Sequence, residues 1–440
     1  MTRKYFGTDG ARGVVGGAII NPIWMEKLGW AVGSTIKAKC AEKPLILIGE
    51  DSRESGKSLS LALEKGLTSA GADVLLLGVL STPAIAYLTK HLKADAALVI
   101  SASHNPYTDN GIKVIGNDGF KFPDEWELSI EKKMDEHTAS HEKKSDGQVK
   151  HFDNAVADYI AHCKSLFPTL LSQYKIVIDC ANGATSFTAP TLFCELGAKV
   201  TAIHANPNGK NINDHCGATN VTSLREKVLS EKADCGIAFD GDGDRLMMVD
   251  QRGEVVDGDE ILGIITLHDP SCKAVVGTLM SNLGLEKALA SHHIQFERVA
   301  VGDRYVLEQL RKNGWHLGGE GSGHIINLHY GTTGDGIITA LQVLRIMHDT
   351  KNSLHVLKKL IQKRPQILIN VPVQNPHSFA NIPDIAAALK EAEKKLGDAG
   401  RVLLRASGTE SCVRVMVEAD SESQARAVAE ALAEVVKNSY

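Results

Sequence analysis

The sequence predicts an α/β protein with largely parallel sheets and helices on both faces of each sheet. Two observations lead to this fold class. Short apolar runs of strand length alternate with helical stretches, and the alternation restarts several times along the 440 residues. Strands that alternate with helices form parallel sheets, since each helix returns the chain to the same end of the sheet. At about 100–200 residues per domain, this length accommodates two to four domains.

The composition is that of an ordinary globular protein. Hydrophobic residues make up 43% of the chain and charged residues 23%, so disorder is excluded as its main state. The net charge of −5 and the 5% of aromatic residues argue against nucleic acid as a partner. The sequence has no apolar stretch of membrane-spanning length, no apolar signal core and no Cys-x-x-Cys pair. We therefore expect a cytoplasmic protein with reduced thiols and no membrane partner.

The first predicted unit spans residues 1–150. Its apolar runs are bounded by polar turns, which is typical of buried strands and helices. A charged stretch at about 132–150 is a candidate linker at its end. The predicted elements are strands at 45–48, 74–77 and 96–100 and a helix at about 58–70.

Three further units follow, at 151–255, 256–366 and 367–440. In each of them the alternation of strand and helix patterns begins again, and the last unit is the smallest. The predicted strands lie at 175–178, 199–203, 236–239, 274–278, 367–371, 401–405 and 413–417, and the predicted helices at 189–196, 260–267, 336–347 and 423–436.

Two of these units contain a similar segment. Residues 94–101 and 233–240 each consist of an Ala-Asp pair, an apolar run and a first polar residue. The similarity predicts duplicated α/β units and places Ser103 opposite Asp242. Because parallel sheets bind ligands at the carboxyl ends of their strands, the loops that follow are candidate sites.

The loop after the predicted strand 96–100 places Ser103 beside His104. A serine hydroxyl is a weak nucleophile until a base or a cation assists it. The alternative interpretation is a turn or a helix N-cap, because Ser and Asn-Pro favour both. Lys113 follows on the same stretch and is either a surface residue or a proton carrier.

The loop after the predicted strand 236–239 carries Asp240, Asp242 and Asp244. In an extended segment alternate side chains point the same way, so the three carboxylates converge and repel one another unless a cation joins them. Hard oxygen ligands favour Mg²⁺, Ca²⁺ or Mn²⁺. An EF-hand is excluded, since Arg245 and Gln251 stand where its Gly and Glu belong. The remaining alternative is a solvated acidic turn.

A glycine-rich loop at 318–324 carries Glu320, Ser322 and His324. A carboxylate, a hydroxyl and an imidazole this close together suit sugar hydroxyls, and the alternative is a plain glycine-rich turn. The glycine pattern of a P-loop or of a dinucleotide site is incomplete throughout the chain, so the sequence does not support an ATPase or an NAD enzyme.

The last candidate loop lies between the predicted strands 401–405 and 413–417. Guanidinium groups, hydroxyls and backbone N–H groups together suit a phosphate, and the alternative is a bare β-hairpin. A glycine-rich opening turn at 6–13 adds one more arginine, Arg12. The candidate phosphate ligands are Arg405, Ser407, Gly408, Thr409 and Arg414.

Taken in order, the four loops resemble those of the α-D-phosphohexomutase superfamily, and the resemblance covers nearly the whole chain. It implies three related mixed α/β sandwich domains and a smaller C-terminal α+β domain around a central cleft. Segments 6–13, 302–305 and 332–336 resemble the branch that acts on glucosamine phosphates. The loops read Ser-x-Ser-His-Asn-Pro at 101–106, Asp-Gly-Asp-Gly-Asp-Arg at 240–245, Gly-Glu-x-Ser-Gly-His at 319–324 and Arg-x-Ser-Gly-Thr-Glu at 405–410.

The resemblance implies a role for each candidate residue. Ser103 would be phosphorylated, and one phosphoryl oxygen would hold a single Mg²⁺ together with Asp240, Asp242 and Asp244. Lys113 would be the general acid and base. The residues that support the phosphoserine site would be Arg12, His104 and Arg245. The substrate ligands would be Glu320, Ser322 and His324 for the sugar hydroxyls, and Arg405, Ser407, Gly408, Thr409 and Arg414 for the phosphate that does not react.

The implied activity is the interconversion of glucosamine 6-phosphate and glucosamine 1-phosphate. It would proceed through a phosphoserine and a hexose 1,6-bisphosphate that is both intermediate and activator, and would feed UDP-N-acetylglucosamine synthesis for the bacterial cell envelope. The resemblance also suggests a homodimer. Three alternatives stay open: a phosphoglucomutase or phosphomannomutase, a metal-dependent sugar phosphatase, and a binding protein that keeps the fold without the chemistry.

Two positions depart from the family pattern. Ser411 stands where a proline is usual, and we expect this change to loosen the phosphate loop. Gly321 stands where a glutamine is usual, which leaves a sugar-contact position empty and weakens the prediction of glucosamine specificity.

Overall fold

Four β-sheets follow one another along the chain, each with its own helices. The computed structural model describes residues 4–7, 9–40, 42–136, 146–407 and 411–440. Three of the sheets are mixed and lie among helices, and the fourth is a small antiparallel sheet. The predicted α/β fold class is confirmed. No helix in the described ranges is long and apolar enough to cross a bilayer.

The first sheet has six strands in the order β1-β5-β4-β2-β3-β6. Strand β6 extends one edge of the sheet by pairing in parallel with β3. The strands are β1 (Ala11–Val14), β2 (Leu45–Glu50), β3 (Asp73–Val79), β4 (Ala96–Ile100), β5 (Asp109–Gly116) and β6 (Val149–His151), and the helices are α1 (Pro22–Lys37), α2 (Gly56–Ser69), α3 (Thr82–His91) and α4 (Asp124–Glu136).

The second sheet has five strands in the order β11-β10-β9-β7-β8. Its elements are β7 (Lys175–Asp179), β8 (Lys199–Ile203), β9 (Cys235–Phe239), β10 (Leu246–Asp250), β11 (Val255–Val256), α5 (Ala155–Leu166), α6 (Ala189–Glu195) and α7 (Thr222–Glu231).

The third sheet has the order β13-β12-β14-β15, and the fourth has the order β16-β18-β17. The third comprises β12 (Ala274–Thr278), β13 (Gln295–Val299), β14 (Leu317–Gly319) and β15 (Ile325–Asn327) with α8 (Gly258–Leu267), α9 (Leu283–Ser291), α10 (Asp303–Asn313), α11 (Gly336–Thr350) and α12 (Leu354–Lys358). The fourth comprises β16 (Gln366–Pro372), β17 (Arg401–Ala406) and β18 (Cys412–Glu418) with α13 (Pro383–Leu396) and α14 (Glu422–Asn438).

The predicted linker at about 132–150 is wrong at both of its ends. Its first residues continue α4 to Glu136, and its last residues belong to β6. The side chains of β6 are all exposed, so this edge strand lacks the apolar alternation by which strands are predicted. Residues 137–145, in the middle of the predicted linker, lie outside the described residues.

In all four sheets, the candidate loop joins a strand to its antiparallel neighbour. The strands before the loops are β4, β9, β14 and β17, and their partners are β5, β10, β15 and β18. In the first three sheets the strand before the loop also pairs in parallel on its other side, with β2, β7 and β12 respectively. This repeated arrangement explains the similarity of residues 94–101 and 233–240.

The packing joins the first three sheets more closely than it joins the fourth. One buried apolar cluster runs from Leu47 of β2 through α5 to Ile361, beyond α12. The fourth sheet has a separate cluster with α13 and α14. Polar contacts link the fourth sheet to the third: the Leu283 N–H donates to Glu418 Oε2 at 2.9 Å, and Arg401 donates to the Ser281 carbonyl at 2.7 Å.

A buried hydrogen bond joins α5 to the N-terminus of α11. The Tyr159 hydroxyl donates to Asp335 Oδ2 at 2.6 Å, and Asp335 caps α11 by accepting from the Ile338 N–H at 3.0 Å. Burial raises the pKa of Asp335 to about 6, although both hydrogen bonds act to lower it. The folded protein therefore holds a proton on Asp335 more tightly than the unfolded chain does.

This raised pKa predicts a specific pH dependence of stability. A carboxyl whose pKa rises on folding costs stability as the pH increases from its ordinary pKa of 3.8 to its folded value of about 6. The variant Asp335→Asn keeps an oxygen for the cap and removes the titration. Its free energy of unfolding, measured in urea, should rise relative to wild type by up to about 3 kcal/mol between pH 4 and pH 7.5.

The matched variant Tyr159→Phe removes a donor that lowers the Asp335 pKa, so it should enlarge the same pH dependence. A difference between Asp335→Asn and wild type that does not change with pH would contradict the assignment.

Candidate active site

The loop after β4 holds Ser103 in a left-handed backbone conformation, with φ at +53°. This conformation costs about 1–2 kcal/mol for a residue with a side chain, so neighbouring groups must hold it. The guanidinium of Arg53 donates to the Ser103 carbonyl at 3.0 Å, and the Asn213 amide donates to the same oxygen at 2.8 Å. The Ser103 N–H donates to Ser101 Oγ, which in turn donates to Asp51. The buried pair of Arg53 and Asp51 fixes this arrangement.

The side chain of Ser103 points at the loop after β9 in the second sheet, which carries the three aspartates. Its hydroxyl donates to Asp240 Oδ2 at 2.7 Å and lies 3.3 Å from His104 Nδ1. Ser103 and Asp240 are almost wholly buried. The structure therefore brings Ser103 and the aspartate loop into direct contact.

Asp240, Asp242 and Asp244 converge as their spacing predicts. Each offers a carboxylate oxygen, and these oxygens lie within 4.8 Å of one another. Oδ1 of Asp242 and Oδ1 of Asp244 are buried and have no hydrogen-bond partner among the described residues. Orphaned buried carboxylate oxygens are costly, and a hard divalent cation would satisfy them. The donor set therefore fits Mg²⁺, and the solvated acidic turn is not what the structure contains.

Lys113 supplies the positive charge that stabilises these carboxylates. Its ammonium lies 2.9 Å from Asp242 Oδ2, 3.2 Å from Asp244 Oδ2 and 3.3 Å from Asp9 Oδ2. Burial alone would lower the pKa of Lys113, but Asp242, Asp9 and Asp244 raise it well above its ordinary value. Burial would likewise raise the pKa of Asp242, but the Lys113 ammonium lowers it below its ordinary range. Lys113 is thus a buried cation rather than a surface residue.

Asp240 behaves in the opposite way because it lacks this cation. Burial, together with the charges of Asp244 and Asp242, raises the pKa of Asp240 well above its ordinary value. Asp240 accepts hydrogen bonds from Ser103 and from the Arg245 N–H. A proton on Asp240 is therefore the alternative to a bound cation in this cluster.

Three further groups surround the serine. Burial and the nearby Arg245 and Arg12 guanidiniums lower the pKa of His104 to about 4, so this imidazole is neutral near pH 7. Arg12 is hydrogen-bonded to Asp9, and Arg245 lies beside the carboxylates. Two arginines and a neutral imidazole provide donors for phosphate oxygens around Ser103.

The glycine-rich loop after β14 lies against the end of the aspartate loop after β9. The Leu246 N–H donates to the Gly323 carbonyl at 3.0 Å, and Glu320 Oε1 accepts from the Gly302 N–H at 3.0 Å. His324 is buried, and its ring nitrogens have no hydrogen-bond partner in the part of the chain that the structure describes. A Cβ on Gly334 would lie 2.5 Å from His324 Nε2. Gly334, in the loop after β15, therefore leaves the space that the His324 ring occupies.

The fourth loop places two guanidiniums beside each other. Arg405 and Arg414 face each other across β17 and β18. Burial and the charge of Arg414 lower the pKa of Arg405. Like charges directly opposite each other in a sheet are unfavourable, and a shared anion compensates them. Ser407 is buried beside them, and Gly408 and Thr409 lie outside the described residues.

One cleft of about 1020 Å³ connects these loops. Lys363 and Arg364 add two cations on the side of the fourth sheet. Ser103, Asp240, Asp242 and Lys113 do not line the cleft and lie behind its surface. The predicted site residues that line the cleft are Arg12, His104, Asp244, Arg245, Glu320, Ser322, His324, Arg405 and Arg414.

Several residues of the site were missed by the analysis of the sequence. Arg53 and Asp51 follow the end of β2, and a charged pair at a strand end was the signal that could have revealed them. Lys121 bridges Asp9 and Asp303, and these two carboxylates are far apart in the sequence. No local pattern predicts that bridge.

The two departures from the family pattern have different surroundings. The carbonyl of Ser411 accepts from the Val373 N–H at 3.0 Å, a bond that any residue at this position would keep. A Cβ on Gly321 would lie 3.2 Å from Asp259 Oδ2, so a side chain there would press on α8 unless it shifted.

The acidic cluster predicts opposite effects of two substitutions on divalent-ion binding. Asp242→Asn removes a ligand and should weaken Mn²⁺ binding, measured by titration calorimetry, by at least about 10-fold. Lys113→Met removes the competing cation and should strengthen Mn²⁺ binding by a similar factor. Glu254→Gln, in a separate Asp250, Glu254 and His355 group, is the matched control and should bind Mn²⁺ like wild type. Equal affinities for all four proteins would contradict the site.

Comparison with known proteins agrees with this geometry. Four family models match in order: phosphoglucomutase/phosphomannomutase alpha/beta/alpha domain I at residues 3–141, domain II at 157–253, domain III at 257–364 and the C-terminal domain at 368–435. A phosphoglucosamine mutase of Coxiella burnetii is 52% identical over 446 aligned residues, which cover 100% of both chains. A phosphoglucosamine mutase of Nitrosococcus oceani is 53% identical and covers 99% of this chain and 98% of its own.

A solved structure shows the same fold. The phosphoglucomutase/phosphomannomutase family protein of Burkholderia thailandensis has a TM-score of 0.82 at 23% identity, covering 99% of this chain and 97% of its own. The full-length relatives and the four matched domains together place the chain in one family. The chain belongs to the phosphoglucomutase/phosphomannomutase family, on the branch of the phosphoglucosamine mutases.

Proposed function

We propose that this chain interconverts glucosamine 6-phosphate and glucosamine 1-phosphate by two phosphoryl transfers through Ser103. One observation carries the proposal: a buried serine hydroxyl, hydrogen-bonded to one of three clustered carboxylates, lies behind one part of a cleft that is also lined by Arg405 and Arg414. A nucleophile and a separate anion site in one cleft suit a sugar that bears one phosphate and receives a second. The names of the relatives support the choice of an amino sugar.

The first transfer starts from the phosphorylated enzyme. The C1 hydroxyl oxygen of glucosamine 6-phosphate attacks the phosphorus of the phosphoserine, a new O–P bond forms, and the bond to Ser103 Oγ breaks. The product is glucosamine 1,6-bisphosphate. The bisphosphate then rotates in the cleft so that its C6 phosphate faces Ser103. Ser103 Oγ attacks the phosphorus at C6, which releases glucosamine 1-phosphate and restores the phosphoserine.

Lys113 is the residue that we assign to proton transfer. It takes the proton of the attacking hydroxyl and returns it to the oxygen that leaves phosphorus. Its carboxylate neighbours make the ammonium its resting form, so compensation of their charge is needed to bring its pKa down. A Mg²⁺ held by Asp240, Asp242, Asp244 and a phosphoserine oxygen would neutralise charge on the transferring group.

The other candidate residues hold the substrate. Arg12, His104 and Arg245 donate to the phosphoryl group at Ser103. The sugar hydroxyls are bound in either orientation by Glu320, Ser322 and His324. The phosphate that does not react is bound by Arg405, Ser407, Gly408, Thr409 and Arg414.

The proposal extends to the organisation of the protein. We keep the domain boundaries predicted from the sequence, 1–150, 151–255, 256–366 and 367–440, because each range contains one of the four sheets, apart from one residue each of β6, β11 and β16. The proposal also includes hexose 1,6-bisphosphate as activator, a homodimer and a cytoplasmic location, with the product used for UDP-N-acetylglucosamine and the cell envelope.

A panel of substrates tests the proposed function. We expect kcat/KM to be at least about 10-fold higher for glucosamine 6-phosphate than for glucose or mannose 6-phosphate, with Mg²⁺ and a trace of hexose 1,6-bisphosphate present. Preference for glucose or mannose would make the enzyme a phosphoglucomutase or phosphomannomutase. Release of inorganic phosphate without isomerisation would indicate a phosphatase. Wild-type activity in Ser103→Ala would contradict the role of Ser103 as the phosphoserine.

The packing of His324 predicts a difference between two glycine substitutions. A Cβ at position 334 would lie 2.5 Å from His324 Nε2 and 2.7 Å from the Asp244 carbonyl, whereas one at Gly331 would meet only the Thr333 carbonyl at 3.8 Å. Gly334→Ala should lower kcat/KM by at least about 10-fold because it displaces the imidazole. Gly331→Ala is the matched control and should stay within about twofold of wild type. Equal activities of the two variants would show that the position of His324 does not matter.

A further inference from the structure

Asp303 is an acidic residue of the cleft to which the analysis of the sequence gave no role. It is the first residue of α10 and lines the cleft beside Glu320 and His324. Its Oδ2 accepts a hydrogen bond from Lys121 and lies 3.8 Å from His324 Nε2. Within the described ranges no donor is bonded to its Oδ1, so this oxygen is available to a ligand.

Among the described residues, Asp303 shares its lysine partner with a second carboxylate. Lys121 is shared between Asp303 and Asp9. Asp9 is also paired with Arg12 and Lys113, and Lys113 is held by Asp242 and Asp244 as well. Glu320 adds a further carboxylate on the same wall of the cleft. Asp303 and Glu320 therefore place two carboxylates in the sugar-binding part of the cleft, with Lys121 and Arg245 as the cations beside them.

We propose that the Asp303 carboxylate binds the C2 ammonium group of the amino sugar and thereby selects it over sugars with a hydroxyl at C2. This inference rests on the proposed function. A primary amine on a carbon chain bearing electron-withdrawing oxygens has a basicity near that of an α-amino group, with a pKa of about 7.7–8.0, and is largely protonated at pH 7. A charge-assisted hydrogen bond to such an ammonium is stronger than a bond to a neutral hydroxyl.

The position of Asp303 also specifies the orientation in which the contact forms. His324 Nε2 lies 3.8 Å from Asp303 Oδ2 and 3.8 Å from Asp244 Oδ2, so Asp303 lies toward the part of the cleft behind which Ser103 is buried. In a pyranose, C2 is bonded to C1 and is remote from C6. The C2 ammonium therefore reaches Asp303 when C1 faces Ser103, which is the orientation of bound glucosamine 6-phosphate.

In the opposite binding orientation the C2 ammonium does not reach Asp303. When C6 faces Ser103, as in bound glucosamine 1-phosphate, C2 lies away from Asp303. The contact therefore stabilises one of the two binding orientations, while the ratio of forward to reverse kcat/KM stays fixed by the overall equilibrium.

The substitution Asp303→Asn keeps the shape of the side chain and removes its charge. We expect the ratio of kcat/KM for glucosamine 6-phosphate to kcat/KM for glucose 6-phosphate to fall by at least about 10-fold. In a Ser103→Ala background, which binds without turnover, the same substitution should raise the Kd of glucosamine 6-phosphate about 10-fold and that of glucosamine 1-phosphate by less than about threefold.

Lys121→Met is the matched control, since it breaks the same ion pair from the other side and leaves the Asp303 carboxylate in place. If Asp303 acted only by holding Lys121, both variants would lower kcat/KM equally for glucosamine 6-phosphate and glucose 6-phosphate. The ratio of the two kcat/KM values would then stay unchanged. An unchanged ratio in Asp303→Asn, or equal rises in Kd for the two glucosamine phosphates, would overturn the inference.

The substrate preferences of the wild type and of Asp303→Asn test the proposed function and the role of Asp303 separately. A wild-type enzyme that prefers glucose or mannose 6-phosphate would contradict the function itself. A wild-type enzyme that prefers glucosamine 6-phosphate, together with an Asp303→Asn variant that keeps this preference, would contradict only the role of Asp303.

Discussion

The site depends on the mutual repulsion of three buried carboxylates and on the cation that compensates it. Asp240, Asp242 and Asp244 offer oxygens within 4.8 Å of one another, and such a cluster is unstable unless a proton, an ammonium or a metal ion joins it. Lys113 compensates Asp242 and Asp244, whereas Asp240 is left with a raised pKa and a hydrogen bond from Ser103. The same repulsion therefore creates a place for a divalent cation next to Ser103.

The fold delivers four different loops to one cleft by repeating a single connection. In each sheet, a strand is followed by a loop and then by an antiparallel partner, so the loop lies at the sheet edge where the first strand ends. The first three sheets share one buried core, which fixes the loops after β4, β9 and β14 relative to one another. The fourth sheet, which carries the loop after β17, has its own core and is joined to the third sheet by polar contacts.

The sequence was sufficient for elements and loops that local patterns determine. Strands β4, β8 and β12 have the predicted bounds, because each is a short apolar run between polar turns. The predicted start of α8 at 260 was late, since Asp257 and Glu260 form a capping box that begins the helix at Gly258. Arg53, Asn213 and Lys121 were missed because each acts on a residue at least 50 positions away, and no periodicity connects such pairs. The charge state of Lys113 likewise depends on burial, which its local sequence does not specify.

In the proposed mechanism, Ser103 carries the phosphoryl group during turnover. A rapid-quench experiment with glucosamine 1-phosphate bearing a labelled phosphate, followed by peptide mapping, measures this directly. We expect the label to appear on the peptide containing Ser103 and to leave it for the sugar at the rate of turnover. Label on another residue, or label that leaves Ser103 more slowly than turnover, would show that Ser103 is not the phosphoryl carrier.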